Sequence, residues 1–252
     1  MPGRNQPQTF AYKAVTAPVV PPGAGERFSG YGVMGIPFTS GHYLALRHFT
    51  ASSIGPGYRA VWHRDPDGRW AVYADAPPEV SCARFLGAAL TAAYTSQVGI
   101  EWSGPRSVTV EIPGVLTWRF EISADFATRM MSAIGARLPA GACHSTWLLR
   151  PMGVAAGPVL SVGKVRLVGL MPNGQTFGAI PRRVWRIDQS SAEMLGENFG
   201  DPGPLPQQDR LGDFMLPQRG LFFAEAATVF TPPVHPIGWP AGAQNAARTT
   251  MP

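Results

Sequence analysis

Four side chains have the chemistry to move a proton inside an apolar site: His48, Tyr58, Glu101 and Asp213. His48 lies in an alternating run in which Leu44 and Leu46 share its face, so the imidazole is expected to point inward. A neutral ring in an apolar cavity would serve as acid, base or haem ligand. Its bland counterpart is a core or rim histidine with one satisfied hydrogen bond. Tyr58 would donate to a substrate or orient it, and Asp213 or His48 would shuttle the proton. Asp213 stands between Leu211-Gly212 and Phe214. A carboxylate partly buried by such neighbours has a raised pKa, whereas one in a solvated loop only fixes a turn. Arg47, Trp62, Trp118 and Phe214 are the candidates for contacting the substrate, the aromatic ones as walls for a flat or long apolar molecule.

Other chemistries find no foothold. The sequence contains no phosphate-cradling glycine loop, no nucleophile elbow, no C-x-x-C and no H-E-x-x-H. The five histidines and two cysteines never fall at metal-ligand spacing, so no metal and no cofactor is expected. Cys143 and His144 are chain neighbours whose side chains diverge, which is wrong for a nucleophile–base pair. Cys82 and Cys143 read as two buried thiols, with a disulfide as the alternative. The net charge of +5 rests on scattered arginines, Lys13 and Lys164 being the only lysines; without clustering, nucleic acid is not an expected partner. No apolar run is long enough for a membrane span or a secretory signal, and the cytoplasm is the default compartment.

The elements that must position these residues read as strands. Hydrophobic residues make up 45% of the chain, enough for a large core, while 29 Gly and 26 Pro favour short strands and turns over long helices. Tyr43 to Phe49 and Tyr58 to Arg64 alternate, and Asp65-Pro66-Asp67-Gly68 turns the second into Arg69 to Tyr73. A second block comprises Val98–Trp102, Val108–Ile112 and Leu116–Ile122; a third runs Val165–Leu170, turns at Asn173-Gly174 and returns from Thr176 to Ile187. A last strand is expected at Leu221 to Phe230. Ser123 would cap a helix over Ala124 to Arg137 with Phe126, Met130, Met131 and Ile134 on its core face, and His144 to Ala156 is a weaker helix broken by Pro151. Residues 79–93 fit helix or strand equally. The acid-rich, Gly/Pro-rich stretch 193–217 reads as a lid. The expected organisation is an extended arm over residues 1–28, one antiparallel β domain over 29–230, built as a barrel or sandwich with one or two short helices, and a tail over 231–252.

The strand rhythm from Gly41 to Ile122, with the segments Trp62-His63-Arg64-Asp65 and Gly68-Arg69-Trp70, resembles lipocalin-like (calycin) β-barrels, nearest to their carotenoid-hydratase and cyclase relatives. That resemblance implies a barrel that holds apolar chains and protonation-driven hydration or cyclisation; no catalytic residue is carried over by it. Two functions follow. One is a cavity enzyme acting by acid–base chemistry on a small apolar molecule, as isomerase, hydratase, cyclase or lyase. The other is a non-catalytic carrier or sensor of a lipid, pigment or haem. A third reading, an interaction module built on the Pro-rich arms, rests on composition alone.

Overall fold

The computed structural model describes residues 6–232. The chain runs α1 (Pro7–Thr16), β1 (Glu26–Pro37), β2 (Tyr43–Ser52), β3 (Tyr58–Arg64), β4 (Trp70–Ala74), α2 (Ala83–Leu86), β5 (Leu90–Thr95), β6 (Gly99–Trp102), β7 (Ser107–Ile112) and β8 (Leu116–Ser123). It continues through α3 (Phe126–Gly135), α4 (Thr146–Leu160), β9 (Val168–Leu170), β10 (Thr176–Ile180), β11 (Arg183–Met194), β12 (Glu197–Asn198), β13 (Arg210–Leu211), β14 (Phe214–Met215) and β15 (Gly220–Thr231). The mainly-β class expected from the sequence is what forms: a curled half-barrel sheet with four short α-helices.

The main sheet is ordered β5-β4-β3-β2-β1-β15-β11-β8-β7-β6, with β9, β10 and β12 attached beside this path. This is not the sequential up-and-down order of a lipocalin barrel. The first strand lies against the last, Glu26 opposite Phe230, and the last against β11. All pairs in the sheet are antiparallel except β4–β5, where α2 lies in the crossover that a parallel pair requires.

Bulges bend β1. Its register to β2 slips between Ser29 and Gly30 and again between Val33 and Ile36. Gly30 and Gly32 permit the close approach: a Cβ there would sit 1.9 Å from His48 O and 2.1 Å from Leu46 O. The curl gives β2 two buried faces. Leu44 and Leu46 join one core with Val33, Trp118, Trp185 and Phe222, while Tyr43, Ala45 and Phe49 join another with Phe28, Tyr58 and Trp62.

Several elements depart from the expectations. The arm over 1–28 is not uniformly extended: Pro7 starts α1 at a position where its missing N–H costs nothing, and Phe10 packs 5.7 Å from Trp185. The return strand over 176–187 is interrupted at Pro181, and its halves take different partners, β10 on β9 and β15, β11 on β8 and β15. The stretch 193–217 is folded into the body, where Leu205, Leu211 and Leu216 are buried. α3 is capped by Asp125 and not by Ser123, through a reciprocal pair with Thr128. Its core face is also largely different: Thr128, Ser132 and Gly135 are buried, Phe126, Met130 and Ile134 face solvent, and of the expected core residues Met131 alone packs inward. Close packing on β11 selects the small residues. Ser132 Oγ donates to Val184 O at 3.0 Å and accepts from Val184 N at 2.9 Å, and a Cβ on Gly135 would lie 2.7 Å from Arg182 O. Residues 233–252, most of the expected tail, lie outside the described residues.

Candidate functional site: an arginine in an apolar cavity

The bend in β1 creates the site. Where its register to β2 slips, the carbonyls of Val33 and Met34 turn toward Arg47. Arg47 Nη1 donates to Val33 O at 2.5 Å and to Leu46 O at 2.9 Å, and Nη2 reaches Met34 O at 3.4 Å. The residue is 5% exposed and forms no ion pair among the described residues. Its Cζ lies 4.3 Å from the Trp62 ring centroid, 5.4 Å from Phe223 and 5.7 Å from Phe214, so aromatic faces supply the negative potential that a carboxylate usually would. Burial opposes the charge. A guanidinium nevertheless keeps its proton, and isolating it in an apolar site is costly.

Beside it is a cavity of about 70 Å³, roughly five times the space one water needs. Arg47, Trp62, Cys82, Phe85, Phe177 and Phe214 are among its walls, which are almost wholly apolar. Among the described residues no Asp, Glu, Lys or His lines it. Besides Arg47, the polar side chains that bear on it are Thr228, Trp62 and Cys82. The Trp62 Nε1–H is buried and makes no hydrogen bond of normal geometry, the Cys82 thiol being the group it acts on. Cys82 Sγ lies 3.1 Å from Tyr58 Oη. Burial pushes the Cys82 thiol up, against opposing pulls from the Tyr58 hydroxyl, Arg47 and Trp62. Cys82 is a thiol and not half of a disulfide.

The sequence-derived candidates separate into those near this cavity and those away from it. Arg47, Trp62 and Phe214 line it, and Tyr58 stands one residue behind, held neutral by burial that raises its phenol well above the ordinary value. His48 belongs to the other face of β2. Its ring meets Tyr31 at 4.9 Å, its Nδ1 is buried and unpaired, and desolvation, helped by Arg59, lowers its pKa to about 4. Glu101 is exposed on β6. Asp213 is partly buried, but charged groups and not an apolar loop surround its carboxylate. It is ion-paired to Arg166, accepts from Leu170 N at 3.0 Å, and edges a shallow surface dent. Trp118 is fully buried in the opposite core, donating Nε1–H to Ser190 Oγ at 2.9 Å.

Sequence reasoning missed a second polar cluster, at the end of the β1–β2 and β3–β4 hairpins. His42 Nδ1 lies 2.9 Å from His63 Nε2, and His42 Nε2 lies 3.1 Å from Glu197 Oε1. Phe199 stacks on His42 at 3.8 Å with planes 2° apart. One proton per ring satisfies the chain, His63 donating to His42 and His42 to Glu197. Desolvation lowers the His63 pKa to about 4, His42 adding to the effect while Asp65 and Glu197 oppose it. His63 falls on an alternating strand, but nothing local in the sequence joins it to His42 or Glu197. Among the described residues no three potential ligands converge on a metal position.

No protein-family model matches the chain, and no curated protein matches it. Among solved structures it is similar to an acetoacetate decarboxylase, 11% identical over 86% of this chain and 90% of that one, with a TM-score of 0.41. Another is the acetoacetate decarboxylase of Legionella pneumophila subsp. pneumophila str. Philadelphia 1, 9% identical over 84% and 88%, with a TM-score of 0.37. The strand order given above departs from the lipocalin resemblance.

Proposed function

We propose that this protein binds a small, mainly apolar molecule in the β2–β15 cavity, and that the molecule carries an anionic head, most simply a carboxylate, which docks on Arg47. The observation that supports this is the buried Arg47 guanidinium, without a carboxylate partner, at the wall of an apolar cavity. An anion there would receive charge-assisted hydrogen bonds from N–H groups that the backbone carbonyls leave over. The Trp62 Nε1–H, which makes no hydrogen bond of normal geometry, is a further donor for an oxygen of the ligand. The apolar walls then accept a short hydrocarbon body of about the size the cavity admits.

Binding is favoured over the acid–base enzyme because His48, Glu101 and Asp213 all stand away from this cavity. Calorimetric titration with short straight and branched monocarboxylates, beside the alcohols of matched length, tests the reading. Carboxylates should bind and alcohols should not, and Arg47→Met should abolish binding. Equal binding of alcohol and acid, or retention by Arg47→Met, would overturn it.

A further inference from the structure

α4 is apolar on both sides. Its inner side buries Leu149, Gly153, Ala156, Gly157 and Leu160, and its outer side presents Trp147 at 80% exposure and Val154 at 74% with Pro151 and Pro158 between and beyond them. Arg150 is its only charged residue. A helix apolar all round normally has something covering each side. α3 repeats the pattern. Phe126 is 81% exposed and stands in line with Met130 and Ile134, at successive turns. The inner sides of both helices meet one core, where Ala127 and Met131 of α3 pack with Leu149, Ala156 and Leu160 of α4. Their outer stripes therefore face away from that core together.

Charge within this segment of the chain has one sign. From Phe126 to Ile187 the chain carries Arg129, Arg137, Arg150, Lys164, Arg166, Arg182, Arg183 and Arg186, and no Asp or Glu. Arg166, Arg183 and Arg186 are engaged by Asp213, Glu225 and Asp125. Arg129, Arg137 and Arg150, which flank the exposed apolar side chains, are exposed and make no ion pair with a described residue.

We propose that this α3–α4 face docks on an anionic phospholipid surface. A bilayer interface offers what the face lacks on both counts: an acyl boundary for Phe126, Trp147 and Val154, and negative headgroups for the arginines. Aromatic rings favour that depth, and arginine stems lie along apolar surface while the guanidinium stays among headgroups. A second copy of the chain meeting this face with its own would set Arg129, Arg137 and Arg150 against each other, with no acid in the segment to pair them. The proposed contact is peripheral, made by the outer sides of two short helices whose inner sides pack on the core. The cavity is not involved, so failure of the anion-binding reading leaves this proposal standing, and the reverse.

The test is co-sedimentation of the full chain with vesicles of phosphatidylcholine alone and with about one-third phosphatidylglycerol, at about 0.15 M and about 0.5 M salt. Binding should appear on the anionic vesicles, weaken about tenfold on neutral ones, and fall with salt. Phe126→Ser with Trp147→Ser, and separately Arg129→Gln with Arg150→Gln, should each weaken it about tenfold. Both pairs should leave the thermal unfolding midpoint and cavity-ligand binding unchanged. No binding to anionic vesicles, or variants that bind like the parent, overturns the proposal. So does self-association in sedimentation equilibrium that the Phe126/Trp147 variant abolishes, which would make the face an interface between copies. Vesicle binding that appears only after removal of residues 233–252 would also overturn it, since that segment would then be the cover.

Discussion

Acidification should destabilise this protein well before its carboxylates are protonated, because His48 and His63 are held neutral by burial. Each has a folded-state pKa of about 4 against an unfolded value of 6.5. A base whose pKa is depressed by folding contributes stability that is present above 6.5 and lost as the pH falls toward 4. At about pH 5 the unfolded chain binds nearly a full proton at each site and the folded chain about a tenth of one. The linkage relation gives a loss of about 2 kcal/mol per imidazole, and about 4 kcal/mol for both, relative to about pH 7.5. With a urea dependence of about 3 kcal/mol per molar for a chain of this size, the unfolding midpoint should fall by about 1.3 M. The groups facing His63 are His42, Asp65 and Glu197, and the charge acting on His48 is Arg59. His63→Gln and His48→Gln should each remove about half of the pH dependence. That slope is readable even if a variant is less stable at every pH. A parent midpoint that does not change between about pH 7.5 and about pH 5, or a double variant that keeps the full slope, would refute the reasoning.

Other perturbations test the packing. Ser132→Ala should cost about 1–3 kcal/mol in urea unfolding, because it strips the hydroxyl that Val184 uses both as donor and as acceptor in a buried seam. Gly135→Ala should cost a comparable amount, about 1–3 kcal/mol, since its Cβ would press into the Arg182 carbonyl; a neutral result would mean that α3 can lift from β11. Asp125→Ala removes a reciprocal cap and the partner of Arg186, and should lower stability by about 1–2 kcal/mol, measured in the same assay.

The sequence and the structure agree where the signal is local. The β3–β4 hairpin follows from alternation plus a turn in which Gly68 adopts φ +87°. Arg47, Trp62 and Phe214 line the cavity, although alternation in β2 says only that Arg47 and Phe49 share a strand face. His48 packs inward on the Leu44 and Leu46 face, as alternation implies, but β2 is buried on both sides and alternation does not say which face meets a cavity. The core face of α3 is largely different from the expected one because apolar periodicity ignores backbone approach, and the seam with β11 needs Ser132 and Gly135 more than it needs Phe126. Cys82 was passed over because residues 79–93 mix short helical turns with a strand and show no clean period. The pairing of His42 with His63 and Glu197 depends on contacts between distant segments, which leave no local trace.

The seam between β1 and β15 has a consequence for how the molecule comes to exist. Glu26 finds Phe230 only after the strands of both flanks of the sheet have been made, so the middle of the sheet closes later than the hairpins beside it. Until then β1 offers one row of unpaired N–H and C=O groups while its other edge is already available to β2. Chains stopped short of Gly220 would carry that open row permanently and should be recovered as aggregates, whereas chains that include β15 should fold slowly, at a rate governed by this one long closure.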